Sequence, residues 1–426
     1  MKLNYIEGSY NISFFNIDLN TEEELTQDVI DKNKSTFNHE FIHYLQDLIL
    51  PYNIRLILSK VRWFSNILEF AHKHNYIIRP FDDWNDESKN LIIQFLGSIG
   101  NGKFIDDVSS LDNFTSDYKP TSGFDSYLQK NRSHNVYTHS CTVYKPDNSD
   151  PIFYKLGARD ILEYIAYKIE AKHHPDRPPA PKLPYESIDL IFDKYKLSHI
   201  SDDIKLCIAE RCLYNDNPIH LLLNTLLENG EFIKYIENHS YEEIYNYLLS
   251  SKTTTRDGHS ESLTSKTSRR LKQFASDLQI LYGSFNELEK WILKVNCFVE
   301  GELSGKFIFS DMYRMNQRDF HSFIDSTIDK IGLPLIMNAQ EKFISLQSQQ
   351  VDVSQFVQFY VIQNFIDFVF SSSKEKSCPI YNFCKTNDGK CNEFCTSNPQ
   401  LKIEENTNCY YIEFLKKYGL INVEFN

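Results

Sequence analysis

The fold and the chemistry of this chain are decided by one stretch, residues 35–50, which reads STFNHEFIHYLQDLIL. Phe37, Phe41 and Leu45 lie four residues apart in it, which is the spacing of one apolar helix face. Neither Gly nor Pro interrupts the stretch, and Pro51 follows it. The sequence therefore predicts an amphipathic helix that ends before Pro51.

His39, Glu40 and His43 form an H-E-x-x-H pattern within this helix. Residues four apart lie on one helix face, so both imidazoles point the same way and can bind one Zn²⁺. Glu40, beside the first histidine, can act as a general base on a zinc-bound water without being a ligand. Because the short pattern also arises by chance, the alternative is two surface histidines beside a solvated Glu40.

The third zinc ligand must come from outside this helix. The longer motif H-E-x-x-H-x-x-G-x-x-H needs Gly and His where this chain has Gln46 and Ile49, so that class is excluded. A Glu from a second helix is the usual solution. The favoured candidate is Glu163, in a predicted helix over residues 157–172, and the competing candidate is Glu69.

The neighbours of Glu163 support this choice. Ala166 is small and allows the second helix to approach the histidine helix closely. Glu170, two turns further on, can accept a hydrogen bond from an imidazole N–H and so fix its tautomer. Asp47 could act similarly, although a solvated acid on the helix surface is the simpler interpretation. Five residues are candidate donors to a developing oxyanion, with none singled out: Tyr137, His139, Tyr144, Tyr154 and Arg159.

The two segments together resemble the gluzincin-type zinc peptidases, which pair H-E-x-x-H with a downstream Glu on a second helix. The resemblance implies a zincin-like catalytic core in which His39, His43 and Glu163 bind zinc. It also implies that Glu40 is the catalytic base. His43 and Glu163 are farther apart in sequence than in thermolysin-like members, which implies an insertion between them.

A second group of candidate ligands lies near the C-terminus: Cys378, Cys384, Cys391 and Cys395. Four thiolates on a short looped segment can form a structural zinc site. The spacing lacks paired C-x-x-C knuckles, so redox-active or incidental thiols and an iron–sulfur cluster stay open as alternatives. Cys409 looks isolated in the sequence.

Composition and charge restrict the partners. The net charge of −13 argues against sequence-independent binding to nucleic acid, which needs a basic surface. The N-terminus shows no apolar signal region, and no run of about 18 apolar residues exists to span a membrane. We therefore expect a cytoplasmic protein with reduced thiols and no membrane contact.

The predicted fold class is mainly α with a small β element (α+β). Residues 1–184 form the zincin-like catalytic region, with an irregular insertion at about 100–133, followed by a helical region over 185–373 and a Cys-rich segment over 374–426. Strands are predicted within 3–18, 135–145 and 152–155. Further helices are predicted at about 53–75, 85–99, 186–195, 203–227, 230–250, 268–296, 318–346 and 352–373.

The sequence thus predicts a zinc metallopeptidase that acts on an intracellular protein or peptide, with a regulatory protein as a further partner. Two alternatives stay open. The same zinc centre could hydrolyse a non-peptide amide or ester, or the chain could be a non-catalytic helical binding or scaffold protein.

Overall fold

The computed structural model describes residues 2–4, 8–11, 15–125, 130–147, 149–254, 259–282, 286–332, 335–344, 353–372, 377–387, 391–405 and 409–426. Helix makes up 61% of the structure and strand 13%, which confirms the predicted mainly α class. Among the described residues, no helix is both long and apolar enough to cross a membrane.

The helices are α1 (Gln27–Lys32), α2 (Lys34–Ile49), α3 (Pro51–His74), α4 (Asp86–Ile99), α5 (Ala158–His173), α6 (Lys182–Tyr185), α7 (Ser187–Lys194), α8 (Asp202–Leu213), α9 (Pro218–His220), α10 (Gly230–Asn238), α11 (Tyr241–Ser250), α12 (Leu263–Tyr282), α13 (Asn286–Gly301), α14 (Ile308–Arg314), α15 (Gln317–Ile331), α16 (Val353–Phe370), α17 (Tyr381–Asn387), α18 (Phe394–Ser397) and α19 (Tyr410–Lys417). A π-helix follows α9 (Leu221–Leu227), and a 3₁₀-helix follows α18 (Pro399–Glu405).

The strands are β1 (Lys2–Asn4), β2 (Gly8–Asn11), β3 (Asn16–Leu19), β4 (Tyr76–Ile77), β5 (Ser110–Asp125), β6 (Lys130–Tyr144), β7 (Ile152–Leu156), β8 (Thr253–Thr254), β9 (Ser260–Glu261), β10 (Leu335–Asn338), β11 (Phe343–Ile344) and β12 (Glu424–Phe425). Over the described ranges the largest sheet has the order β1-β2-β3-β10-β11, and β10 runs parallel to β3. A second sheet, β5-β6-β7, is antiparallel throughout, and β4 pairs with β12 and β8 with β9.

The prediction that the segment at about 100–133 is irregular is wrong for residues 110–125 and 130–133, which lie in strands. Residues 110–125 form β5, which pairs with β6 in a long antiparallel hairpin. Most of β5 between Asn113 and Pro120 faces solvent, so polar residues are tolerated there and the apolar alternation of a half-buried strand is missing. Hydrogen bonds to β6, rather than a buried apolar face, stabilise β5.

The predicted helix over 318–346 is also too long. Helix α15 ends at Ile331, and Gly332 follows with a φ of +82°. The chain then forms the short buried strand β10, whose partner β3 lies near the opposite end of the sequence. A short apolar run of this kind cannot be told from a buried helix segment by its pattern alone.

Two helices position the predicted site. Helix α2 confirms the prediction for residues 35–50, but it is buried on every side from Thr36 to Ile49, because it packs between the first sheet, α3 and α5. Helix α5 begins after Gly157, whose N–H donates to Asp160 Oδ2 at 2.8 Å. A Cβ at Gly157 would lie 2.1 Å from the carbonyl carbon of Ile99, so only glycine allows this close approach.

Candidate metal centre

Three ligand atoms from α2 and α5 converge at one point. His39 Nε2 lies 3.2 Å from His43 Nε2 and 3.4 Å from Glu163 Oε2. His43 Nε2 lies 3.3 Å from the same carboxylate oxygen. Tetrahedral zinc with bonds of about 2.0–2.1 Å holds neighbouring ligand atoms about 3.3 Å apart. The three atoms therefore have the spacing of one face of a zinc tetrahedron.

This buried His/His/Glu group could hold a metal ion. Among the described residues, His39, His43 and Glu163 form the group of His, Cys, Asp or Glu side chains whose ligand atoms all lie within 4.8 Å of one another. Glu69, the competing candidate, is exposed on α3 and lies outside this group. The structure thus brings Glu163 to the two histidines. That the ion is zinc stays a prediction.

His39 is oriented from behind by a carboxylate. Its Nδ1 lies 2.9 Å from Glu170 Oε2, and because a carboxylate only accepts, His39 carries its hydrogen on Nδ1. In this tautomer a neutral imidazole presents its Nε2 lone pair toward Glu163 and His43, where a metal ion would bind. Ser35 Oγ donates to Glu170 Oε1 at 2.6 Å and fixes that carboxylate in turn. The contact expected between Glu170 and an imidazole is confirmed.

His43 is oriented by an amide, which the sequence analysis did not identify. Its Nδ1 lies 2.8 Å from Gln46 Oε1, while Gln46 Nε2 donates to the carbonyl of Leu162 at 3.1 Å. The second bond shows that Gln46 presents its oxygen to His43, which again leaves Nε2 for a metal. The position of Gln46, three residues after His43 on the same helix face, was the available signal.

Aromatic rings flank the two imidazoles. Tyr10 stacks on His43 with ring centroids 6.4 Å apart, and Tyr185 meets His39 edge-on at 6.1 Å. Both tyrosines lie far from the histidines in sequence and in regions without a motif, so no pattern indicated them. They contribute to a wall that leaves His39, Glu40 and Glu163 only 3%, 1% and 1% exposed.

Glu40 has a carboxylate oxygen that can accept a proton. Its Oε2 is buried and has no hydrogen-bond partner among the described residues. Burial raises the pKa of Glu40 well above its usual value; His39 counteracts this, and the carboxylates of Glu163 and Glu170 add to it. A buried carboxylate oxygen without a partner, on the residue next to His39, is available to accept a proton from a water molecule.

The charges of the triangle call for a cation. Burial lowers the pKa of His39, but hydrogen bonds to Glu163 and Glu170 outweigh it and raise the value to about 10. Burial raises the pKa of Glu163, but His43 and His39 bring it far below its usual range. Without a metal, a proton on His39 compensates the buried carboxylates, and a divalent cation would replace that proton. The donor set therefore fits a metal such as zinc.

Of the candidate oxyanion donors, only Arg159 is seen to contact the triangle. Its Nε lies 3.5 Å from Glu163 Oε1. The other four contact different partners: Tyr137 stacks on His220, His139 also lies beside His220, Tyr144 accepts from Asn113, and Tyr154 donates to Asp160.

Asp47 is not the solvated surface acid that was the simpler interpretation. It is fully buried, and it accepts hydrogen bonds from the Tyr10 hydroxyl at 2.9 Å and from Asn53 Nδ2 at 3.0 Å. Because Tyr10 stacks on His43, Asp47 acts on the site through that ring.

All nine cysteines are free thiols. Among the residues that the structure describes, no three of the sulfurs of Cys378, Cys384, Cys391 and Cys395 come within 4.8 Å of one another. Cys378 and Cys395 are nevertheless neighbours, because the Cys378 N–H donates to the Cys395 carbonyl at 2.7 Å. A structural zinc on these cysteines stays a prediction.

No protein-family model, curated protein or solved structure matches this chain. The likeness to gluzincin-type peptidases therefore rests on the residues of the two helices alone.

Proposed function

We propose that the protein is a zinc-dependent metallopeptidase of gluzincin type with a zincin-like core. In this proposal His39, His43 and Glu163 hold the zinc ion, and Glu40 is the general base. The observation that carries it is the ligand triangle with sides of 3.2–3.4 Å, together with a buried carboxylate oxygen of Glu40 that has no partner among the described residues.

Zinc, when bound, would supply the Lewis acidity that lowers the pKa of a water molecule and polarises a carbonyl group. Glu40 would accept the proton of the attacking water at Oε2. It would then donate that proton to the leaving amine. Glu170 and Gln46 keep both imidazoles in the required tautomer throughout.

The enclosure of the site bears on regulation. Since the ligands and Glu40 are almost fully covered, a peptide can reach them only after the covering residues move. Tyr10, on the N-terminal sheet, and Tyr185, after α5, are part of this cover. We therefore include in the proposal that the protease has low basal activity and that a partner protein or another signal opens the site.

The test compares wild type with Glu40→Gln after each is incubated with a soluble proteome, and new peptide N-termini are counted. Wild type, although its basal activity is low, is expected to produce a small, defined set of N-termini that Glu40→Gln does not, while both bind zinc equally. Glu69→Gln is the matched control and should behave as wild type. Full activity in Glu40→Gln would refute the assignment of the base.

The same experiment addresses the non-peptide alternative. If wild type binds zinc but yields no new N-termini, and instead hydrolyses small amides or esters in a Glu40-dependent way, the peptidase proposal is wrong and the alternative hydrolase is right. A protein that binds no zinc at all would leave only the scaffold interpretation.

A further inference from the structure

Three basic side chains meet one carboxylate where α3, α12 and the segment after α8 come together. Asp216 Oδ2 lies 3.5 Å from Arg55 Nη1 on α3, and Asp216 Oδ1 lies 3.7 Å from Lys266 Nζ on α12. Arg270 Nη2, one turn further along α12, donates to these two oxygens at 3.1 and 3.3 Å. Among the described residues, neither Arg55 nor Lys266 forms another ion pair. The single negative charge of Asp216 therefore does not balance the positive charge around it.

This positive charge is buried. Arg55 and Lys266 are only 5% and 8% exposed, and a charge removed from water is stable only when it is paired and hydrogen-bonded. Arg55 meets part of that requirement, because its Nη1 donates to the Asp216 carbonyl at 3.2 Å. Its Nε and Nη2 are buried and have no hydrogen-bond partner in the part of the chain that the structure describes. Two donors on one edge of the guanidinium group are thus left for an acceptor from outside the protein.

The cluster of Arg55, Asp216, Lys266 and Arg270 reaches solvent at Asp216. The Asp216 side chain is 29% exposed, whereas the three cations are covered more completely. An anion that enters beside Asp216 can therefore contact both cations of α12 and the open edge of Arg55. Lys266 is the fourth residue of α12, a helix of 20 residues, so the positive end of the helix dipole adds to the attraction.

We propose that this cluster binds a phosphate group, as inorganic phosphate or on a small phosphorylated molecule. Arg55 donates from Nε and Nη2 to two phosphate oxygens, because one edge of a guanidinium group matches two oxygens of such an anion. Lys266 and Arg270 contact the same anion from α12. A phosphate monoester carries about 1.5–2 negative charges at pH 7, which compensates the cations that Asp216 leaves unbalanced.

One hydrogen bond links this cluster to the helix of the proposed metal site. Thr267, the residue after Lys266, donates from Oγ1 to the carbonyl of Ile49 at 2.9 Å. Ile49 is the last residue of α2, which carries His39 and His43. A phosphate held between α3 and α12 therefore stabilises the end of this helix. The inference does not depend on the proposed peptidase activity.

Calorimetric titration of the full chain with inorganic phosphate tests the proposal. Wild type is expected to bind one phosphate per chain and to unfold at a higher temperature when phosphate is present. Phenyl phosphate is titrated in parallel: binding of both probes shows a site open to phosphorylated molecules, and binding of inorganic phosphate alone shows a site for the free ion. Absence of saturable binding of either probe up to about 10 mM would overturn the proposal, and so would equally tight binding of chloride.

Two matched variants test the residues of the cluster. Lys266→Met removes one cation but retains the aliphatic chain, and it should weaken phosphate binding about 10–100-fold. Lys272→Met is the control, because Lys272 lies on the same helix but is partly exposed and pairs with Glu300 at 3.1 Å. It should bind phosphate as wild type does. Equal affinity in the two variants would overturn the site.

Asp216→Asn separates phosphate binding from an ion-pair network that only stabilises the fold. The amide retains the shape of the side chain but removes the competing negative charge, so phosphate should bind at least several-fold more tightly than in wild type. A loss of stability without any gain in phosphate affinity would overturn the proposal.

The titrations are repeated after zinc has been removed with a chelator, because a metal centre can also bind phosphate. Unchanged phosphate binding is expected. Binding that disappears with the zinc would place the phosphate at the metal and overturn its assignment to the cluster around Arg55.

Discussion

Replacing Glu170 tests how the second layer of residues supports the proposed zinc site. The Glu170 carboxylate accepts from His39 Nδ1 at 2.9 Å and from Ser35 Oγ at 2.6 Å, and neither bond involves a ligand atom. Glu170→Ala removes both acceptors, so the imidazole is free to turn or to change its tautomer. Glu170→Gln retains an oxygen for His39 but loses the negative charge.

The size of the effect follows from the single bond to His39. A hydrogen bond to a charged group contributes about 1.5–3 kcal/mol, and loss of an outer partner typically weakens metal binding about 10–100-fold. We expect Glu170→Ala to weaken zinc binding near the upper end of that range and Glu170→Gln near the lower end.

The zinc affinity of both variants is measured at fixed pH by competition with a chromophoric chelator of known zinc affinity. Glu69→Ala, an exposed acid on α3, is the matched control and should bind zinc as wild type does. Wild-type affinity in Glu170→Ala would refute the reasoning that this carboxylate holds His39 in position.

Three further outcomes are expected. Burial lowers the pKa of His39, but hydrogen bonds to carboxylates outweigh it and raise the value to about 10, so His39 must lose a proton to bind zinc. The logarithm of the zinc affinity should therefore rise by about one per pH unit between about pH 7 and 9. A zinc affinity that does not change with pH, measured by calorimetry, would contradict this. Gly157→Ala places a Cβ 2.1 Å from the Ile99 carbonyl carbon. This clash should lower the free energy of unfolding by about 1–3 kcal/mol in denaturant titrations. Unchanged stability would show that the backbone segments around Ile99 and Gly157 can move apart freely. Tyr154→Phe removes a buried 2.7 Å hydrogen bond to Asp160. It should lower the free energy of unfolding by about 1–3 kcal/mol in the same titrations, with zinc binding retained. A stability equal to that of wild type would mean that the bond contributes nothing.

The two helices of the site could be predicted from sequence because their signals are local. Helix α2 has uninterrupted apolar spacing before Pro51, and the His39–His43 spacing holds on any regular helix. Glu163 and Glu170 lie two turns apart on α5, so a helix that places one at the histidines places the other behind them. The sequence left two candidates for the third ligand, Glu163 and Glu69. The small Ala166 favoured the helix that carries Glu163, and it is fully buried in the structure.

The errors concern structure that depends on distant partners. Strand β5 is polar and mostly solvent-facing between Asn113 and Pro120, and its pairing with the later strand β6 holds it in the sheet. Strand β10 has four buried residues whose parallel partner β3 lies more than 300 residues earlier. The helix that follows Cys409 contacts the cysteine-rich segment through packing between Tyr410 and Phe383. No pattern within one window of sequence contains this information.

The central claim is tested most directly by diffraction from zinc-loaded crystals with data collected on both sides of the zinc absorption edge. The account predicts an anomalous peak about 2.0–2.1 Å from His39 Nε2, His43 Nε2 and a Glu163 carboxylate oxygen, with Glu40 nearby but not bound to the metal. A peak absent from this position, or one that is coordinated by Glu40 in place of Glu163, would contradict it.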